Sequence, residues 1–336
     1  MSHPPANLFE LVEEAKPLGP IRIAVVNAAQ RLVLEAVREA QSLGLIEPRL
    51  IGESDLIGEL SQALGWQLDE SWIIPADDEA SAAATGVHLV RSGQADAVMK
   101  GYVHTDTFMR ALLHEERGLR TPGRRVSHVF VTDIPTYPKL LHITDAAINI
   151  APDLNAKAQI LQNAVEVARL MGIEKAKVAV LSAVETVNPA IVSTLDAACL
   201  ALMARRGQIA NAIVDGPLAF DNAISAAAAR EKGIASEVAG DADIMLVPDL
   251  VSGNILAKNL EYLAGAKAAG IVVGLSAPVV LSSRADPAPA RLAALALAVL
   301  MYHQQRKAAV KALPGEIESA VHCAPQPESA CCPRPA

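Results

Sequence analysis

The stretch "IRIAVVNAAQRLVLEAVREAQSLG", Ile21 to Gly44, decides the fold class. It opens on a short β-rich apolar run. Behind that run the apolar residues recur at helical spacing, and the pattern stops at Gly44, a residue favoured where helices end. A strand therefore leads directly into a helix. The order returns in "PRLIGE" then "SDLIGELSQALG", in "SWIIPA" then "DDEASAAATGVHLVRSG", and in "ADAVMKG" then "TDTFMRALLHEE". Four β-α units in succession predict a parallel, doubly wound α/β sheet.

Beyond this region the pattern changes. Three short apolar runs, "VSHVFVT", "KLLHIT" and "AAINI", fall between Val126 and Ile150 and read as neighbouring strands without helices between them. Alternation then resumes through helix 154–172, strand 177–183, helix 188–207, strand 211–216, a helix around "DNAISAAAAREKG" and the strand "ADIMLVPDL". Strands "GIVVG" and "APVVL" and a long closing helix after Pro287 complete the folded part. A chain of 336 residues suits two domains with a cleft between them. The expected division is 1–126 with 270–310 as the first α/β domain, 127–269 as a second, inserted α/β domain, and 311–336 as a flexible C-terminal tail.

Composition narrows the function classes. Hydrophobic residues make up 51% of the chain and aromatics 3%, a balance that suits helices packed on a sheet. The net charge of −8 argues against a nucleic-acid or anionic-membrane partner, since both need a basic surface. The most apolar run, "LAALALAVLMY", falls short of the roughly 18 residues of a membrane span. Cys199 lies in a helical pattern, while Cys323, Cys331 and Cys332 sit in a Pro-rich tail. That is no disulfide framework, and the chain reads as cytoplasmic.

In open α/β sheets ligands bind beyond the carboxyl ends of strands. Five polar junctions are expected there, on one sheet edge. The first carries Lys100, Gly101, His104 and Thr105, with Arg110 on the following helix; the second carries Ser182 and Glu185. Asp215, Gly216 and Pro217 form the third, Pro248, Asp249 and Asn254 the fourth. The last carries Ser283 and Arg284, with Asp286 as N-cap of a helix whose first residue is Pro287. Each has a structural alternative: Ser, Asp and Asn cap helices, Arg284 suits a surface, His104 suits a structural hydrogen bond, and the Asp215 turn is explained by turn chemistry. "GLRTPGRR" spaces Gly118 and Gly123 as a phosphate loop does, but lacks its Lys-Ser/Thr and follows no strand. No dinucleotide fingerprint, serine-hydrolase elbow or H-E-x-x-H motif is present, and no metal site is expected.

At these same clusters the sequence resembles the phosphate acetyl/butyryl transferases. The segments that carry the resemblance are "KGYVHTDTFMRALL", "GLRTPGRRVSHV", "AVETVNPAIVSTLDAA", "RGQIANAIVDGPLAFD", "EVAGDADIMLVPDLVSGN" and "SAPVVLSSRAD", in family order over about residues 20–305. The resemblance implies two α/β domains of the isocitrate/isopropylmalate-dehydrogenase type around a cleft, and assembly as a homodimer or higher homo-oligomer. It implies reversible conversion of a short-chain acyl-CoA, acetyl- or butyryl-CoA, and inorganic phosphate to an acyl phosphate and free CoA, with no tightly bound cofactor. It assigns Arg284 to phosphate, Ser283 to the CoA sulfur or thioester, and Arg110 to the anionic substrates. The carboxylate that acetyl-specific members carry two helical turns beyond Ser-Arg is absent: Ala290 stands near that position, and the nearest acid is Asp286. "SSRAD" and "KGYVHT" are closer to the butyryl-type branch.

A strong base is not required by the chemistry. Inorganic phosphate, like a phosphate monoester with its second pKa of about 6, is largely a dianion at neutral pH. A thiol of pKa roughly 8.5 leaves with modest help. The remaining demands are to hold two anions together and to stabilise the oxyanion. Direct attack by phosphate is therefore expected. The competing readings are a non-catalytic CoA-binding relative and a dehydrogenase of the related fold, the latter needing a nucleotide site and a metal cluster that the sequence does not display.

Overall fold

A computed structural model describes residues 3–283 and 286–312 of the chain, with side chains through residue 307. In chain order the elements are α1 (Leu8–Ala15), β1 (Ile21–Val26), α2 (Arg31–Ser42), β2 (Ile46–Gly52), α3 (Ser54–Ala63), β3 (Ile73–Pro75), α4 (Glu79–Arg91), β4 (Ala97–Lys100), α5 (Thr105–Leu112), β5 (Ser127–Asp133) and β6 (Leu141–Thr144). There follow α6 (Leu154–Leu170), β7 (Ala176–Leu181), α7 (Val192–Arg205), β8 (Ala212–Leu218), α8 (Phe220–Ile224), α9 (Ala226–Glu231), β9 (Ile244–Leu246), α10 (Leu250–Leu263), β10 (Lys267–Val273), β11 (Val279–Val280) and α11 (Ala288–Ala312).

The strands hydrogen-bond into one mixed sheet in the order β3-β2-β1-β4-β11-β10-β5-β6-β9-β7-β8. Strands β3, β2, β1, β4 and β11 are mutually parallel, and so are β6, β9, β7 and β8. The pairs β11/β10, β10/β5 and β5/β6 are antiparallel. The two parallel blocks therefore run in opposite directions, joined through β10 and β5. The expected boundaries at 126/127 and 269/270 fall at the start of β5 and inside β10.

Strand alternation builds a three-layer α/β/α packing. Ile23, Val25, Val129 and Val131 face α1, α2, α6 and α11, whereas Ala24, Val26 and Val98 face α4 and α5. On the same side as α4 and α5, Phe130, Leu141 and Ile143 pack with α8 and α10. In α11 every residue from Ala290 to Met301 is buried, which explains the continuous apolar run of the closing helix. No helix among the described residues is long and apolar enough to cross a membrane.

Three expectations require correction. The run 146–150 is not a strand: Asp145 accepts N–H bonds from Ala147 (2.9 Å), Ile148 (3.0 Å) and Asn149 (3.3 Å), so the chain wraps around a carboxylate instead of joining a ladder. The helix around "DNAISAAAAREKG" breaks at Ser225, whose hydroxyl accepts the Ala228 N–H at 3.2 Å and starts α9 afresh. The five polar junctions do not share one edge, because the strands of the two blocks point their carboxyl ends in opposite directions.

Opposed blocks can still share a site where their strands stop early. Val280, the last residue of β11, pairs with Ile271, which pairs with Val129. In the next row Phe130 pairs with Ile143, one residue before the end of β6. The ends of β11 and β6 thus lie nearly level in the middle of the sheet.

Candidate active site

Lys100 ends β4 with only 2% of its surface exposed. Gly101 follows because nothing larger fits: a Cβ there would stand 2.4 Å from the Val26 carbonyl oxygen and 2.5 Å from that of Asn27. This close approach lets Gly101 and Tyr102 donate their N–H groups to Val26 and Asn27, both at 2.9 Å, and turns the chain into α5. His104 is the N-cap residue of α5 but makes no side-chain cap; its Nδ1 lies 2.9 Å from Glu79 Oε2. Arg110 is 75% exposed and donates to Asp106 at 2.5 Å, one helical turn earlier.

The turn after β11 is held differently, by groups buried in the core. Leu281 donates its N–H to the Gly270 carbonyl at 3.2 Å, and His128 Nε2 approaches the Leu281 carbonyl at 3.4 Å. Burial depresses the His128 pKa against the pull of Asp145 and of this carbonyl, so the ring is neutral at pH 7 and its Nε2 carries the hydrogen. Ser283 donates its N–H to Asp286 Oδ2 at 2.7 Å. Arg291, whose residue exposure is 0%, donates from Nη2 to the Ser283 carbonyl (2.8 Å) and from Nε to the Asp286 carbonyl (3.1 Å).

Burial raises the Asp286 pKa, partly offset by the Ser283 N–H and nearby cations. Burial also lowers that of Arg291, opposed by Asp286; a guanidinium stays charged regardless. The expected capping role of Asp286 is corrected here. The Pro287 carbonyl accepts the Arg291 N–H and α11 begins at Ala288, while the Asp286 carboxylate turns back to Ser283. Arg284 lies outside the described residues.

A cavity of about 440 Å³ opens over this part of the sheet. Thr105 from α5, Asn254 from α10, and Ser282 and Ser283 from the turn contribute its polar lining; Phe130, Ala146, Ala147, Leu250 and Leu281 are among its apolar lining residues. Lys258 also lines it and is paired with Glu261 at 2.6 Å. Asn254 is steadied by the Ala146 carbonyl at 3.4 Å, and Asp249 caps α10 through the Ser252 N–H at 2.8 Å. The cavity thus unites elements of both blocks. Across the segment 145–150, a second hollow of about 650 Å³ is lined by Arg120, Arg124 and Arg125.

Of the residues singled out in the sequence, Thr105, Asn254 and Ser283 line the cavity, and Lys100, Gly101 and Asp286 support the turns beside it. Arg110 and His104 sit on or before α5 in exposed ion pairs. Asp215, Gly216 and Pro217 belong to the outermost strand β8, where Asp215 lines a different hollow with Lys175 and Arg205. Ser182 bonds Ser193 at 2.8 Å and Glu185 meets Lys232 at 3.3 Å, partners that suffice for structural roles. The reading of the sequence missed His128 and Arg291 and gave no role to Ser282, the serine beside Ser283. A signal for Arg291 existed, as a lone cation within "PARLAALALAVL".

Comparison with known proteins bears on this constellation. A family model described as phosphate acetyl/butaryl transferase matches residues 75–299. The chain belongs to this family. The matched region contains both the α5 turn and the Ser282–Asp286 turn. Among the family's curated members, the phosphate acetyltransferase of Rickettsia prowazekii (strain Madrid E) is 48% identical over 302 residues, covering 89% of this chain and 86% of its own. The phosphate butyryltransferase of Clostridium acetobutylicum is 44% identical over 292 residues, covering 87% and 97%. A crystal structure of a branched-chain phosphotransacylase from Enterococcus faecalis V583 is similar at a TM-score of 0.72 and 32% identity, covering 84% of this chain and 99% of that one.

Proposed function

We propose that the protein is a phosphate acyltransferase that converts a short-chain acyl-CoA and inorganic phosphate reversibly to an acyl phosphate and CoA. The observation that carries this reading is the cavity, where the Ser282–Ser283 turn, fixed from behind by Arg291 and Asp286, faces Thr105 and Asn254. Family membership supports it. Phosphate attacks the thioester carbon directly, the carbonyl oxygen becomes an oxyanion, and its collapse expels the CoA thiolate. The two substrates supply every atom of this exchange, so the reading calls for no bound cofactor. Arg284 and Arg110 supply charge to the anions, and the hollow of Arg120, Arg124 and Arg125 offers basic groups to the phosphates of CoA. Cys199, on α7, is not among the cavity's lining residues, which favours direct attack over a cysteine acyl-enzyme.

Thiol release from acetyl-, propionyl- and butyryl-CoA, measured with phosphate or arsenate, tests the reading. Release that requires the anion is expected; silence with all three thioesters rejects it. Residues 1–126 with 270–310 and residues 127–269 act as two domains meeting at β5 and β10, and the protein works in the cytoplasm as a homodimer. The exposed Val192, Leu195 and Leu202, at helical spacing on α7, support a second copy as partner. The solution mass, measured by sedimentation, is expected to be that of two chains.

A further inference from the structure

We propose that Ser282, the residue before the assigned Ser283, donates a hydrogen bond from its Oγ to the acyl carbonyl oxygen of the thioester and is a catalytic residue of the site. The inference rests on the acyltransfer reading and goes beyond it by assigning a new donor.

Ser282 lines the cavity with only 3% of its surface exposed, and its Oγ has no hydrogen-bond partner among the described residues. A buried hydroxyl without a partner is costly, and an apolar residue in its place would serve the fold better. The hydroxyl is explained if a ligand completes its bond. The surroundings choose the ligand atom: Phe130, Ala146, Ala147 and Leu281 give the cavity an apolar wall. The described cation that lines the cavity, Lys258, is engaged by Glu261 at 2.6 Å, which leaves little charge for a phosphate dianion, whereas a neutral carbonyl oxygen suits one neutral donor.

The turn is also fixed on both sides of this residue. The Leu281 carbonyl is held by His128, and the Ser283 N–H and carbonyl by Asp286 and Arg291. A donor set in so rigid a frame needs little reorganisation when charge develops on its acceptor. As a phosphate oxygen bonds to the carbonyl carbon, the C=O π pair moves onto oxygen, where Ser282 Oγ–H donates to it. When the pair returns, the carbon–sulfur bond breaks and the thiolate takes a proton from solvent.

The experiment compares the purified full chain with S282A and S282T in the thiol-release assay and in thermal unfolding. S282A is expected to lose about 100-fold in kcat, with the KM for phosphate unchanged, because one oxyanion donor is missing. Its Tm should be unchanged or higher, since an unsatisfied buried hydroxyl has gone. S282T keeps the hydroxyl and should retain most of the turnover. A kcat for S282A within threefold of the unsubstituted protein overturns the assignment. So does a raised KM for phosphate at constant kcat, or a loss of activity in both variants that tracks a fall in Tm. If the unsubstituted protein itself releases no thiol, the acyltransfer reading fails and the donor role fails with it, a result distinct from an active S282A.

Discussion

The turn after β11 and the turn into α5 both face the centre of the sheet, yet they are secured by opposite means. Ser283 and Asp286 are tied by each other and by Arg291, which is fully buried behind the cavity wall. Around α5, His104 and Arg110 make their bonds to Glu79 and Asp106 in the open. Buried polar bonds hold one geometry and are expensive to break, whereas exposed ion pairs contribute little and exchange readily with water and salt. The first turn is built to keep a hydroxyl in place. The second leaves an arginine able to leave its partner for an incoming anion.

The largest effect is expected from breaking the buried side. Arg291→Met takes a donor from each of the Ser283 and Asp286 carbonyls and a compensating charge from near the buried Asp286 carboxylate, and should cost about 3–5 kcal/mol of stability in urea unfolding. The same variant should lose at least about 100-fold in turnover, on the scale of a misplaced oxyanion donor. Arg291→Lys keeps the charge but not the planar fork, so it should recover stability better than activity. Equal recovery of both would show that the turn does not depend on the fork.

Asp286→Asn sharpens the same side through pH. The folded pKa of Asp286 is raised, first by burial, so its contribution to stability is full below the unfolded value near 3.8 and fades as pH rises through the folded value. Asparagine can still accept the Ser283 N–H and has no charge to bury. Its Tm relative to the parent protein should therefore increase from pH 4 towards pH 7. A gap independent of pH would mean that the carboxylate is not strained by burial. The smallest effect is expected on the exposed side. Asp106→Ala should change stability by less than about 0.5 kcal/mol, and turnover should stay within a few-fold because Arg110 needs no resident partner. A large loss of either would place Asp106 among the groups that hold the site.

The contrast also marks what could be read from the chain. The β-α alternation up to α5 is written in periodicity, and so is the break at Lys100-Gly101. The direction of the second block is not, because it depends on β5 and β10 pairing antiparallel across a long separation in sequence. Helix α10 has a cap signal at Asp249, but Val251 and Ile255 remain exposed while Leu256 and Leu260 pack inward, so its apolar pattern is blurred. The run 146–150 has the apolar content of a strand, and only the tether to Asp145 decides otherwise. Ser283 was visible as a polar residue at a strand end. Ser282 is the neighbouring serine in sequence, and only the burial of its hydroxyl without a partner among the described residues sets it apart.

Strand β11 is two residues long, and it fills the place between β4 and β10. Until Val279 and Val280 leave the ribosome, the growing chain holds β4 as an open edge, a template for pairing with neighbouring nascent chains. The last strand among the described residues is therefore both the plug for that edge and the lead into the serines. A polypeptide released just short of it would be sticky as well as inactive, so quality control at the level of solubility coincides with completion of the catalytic turn.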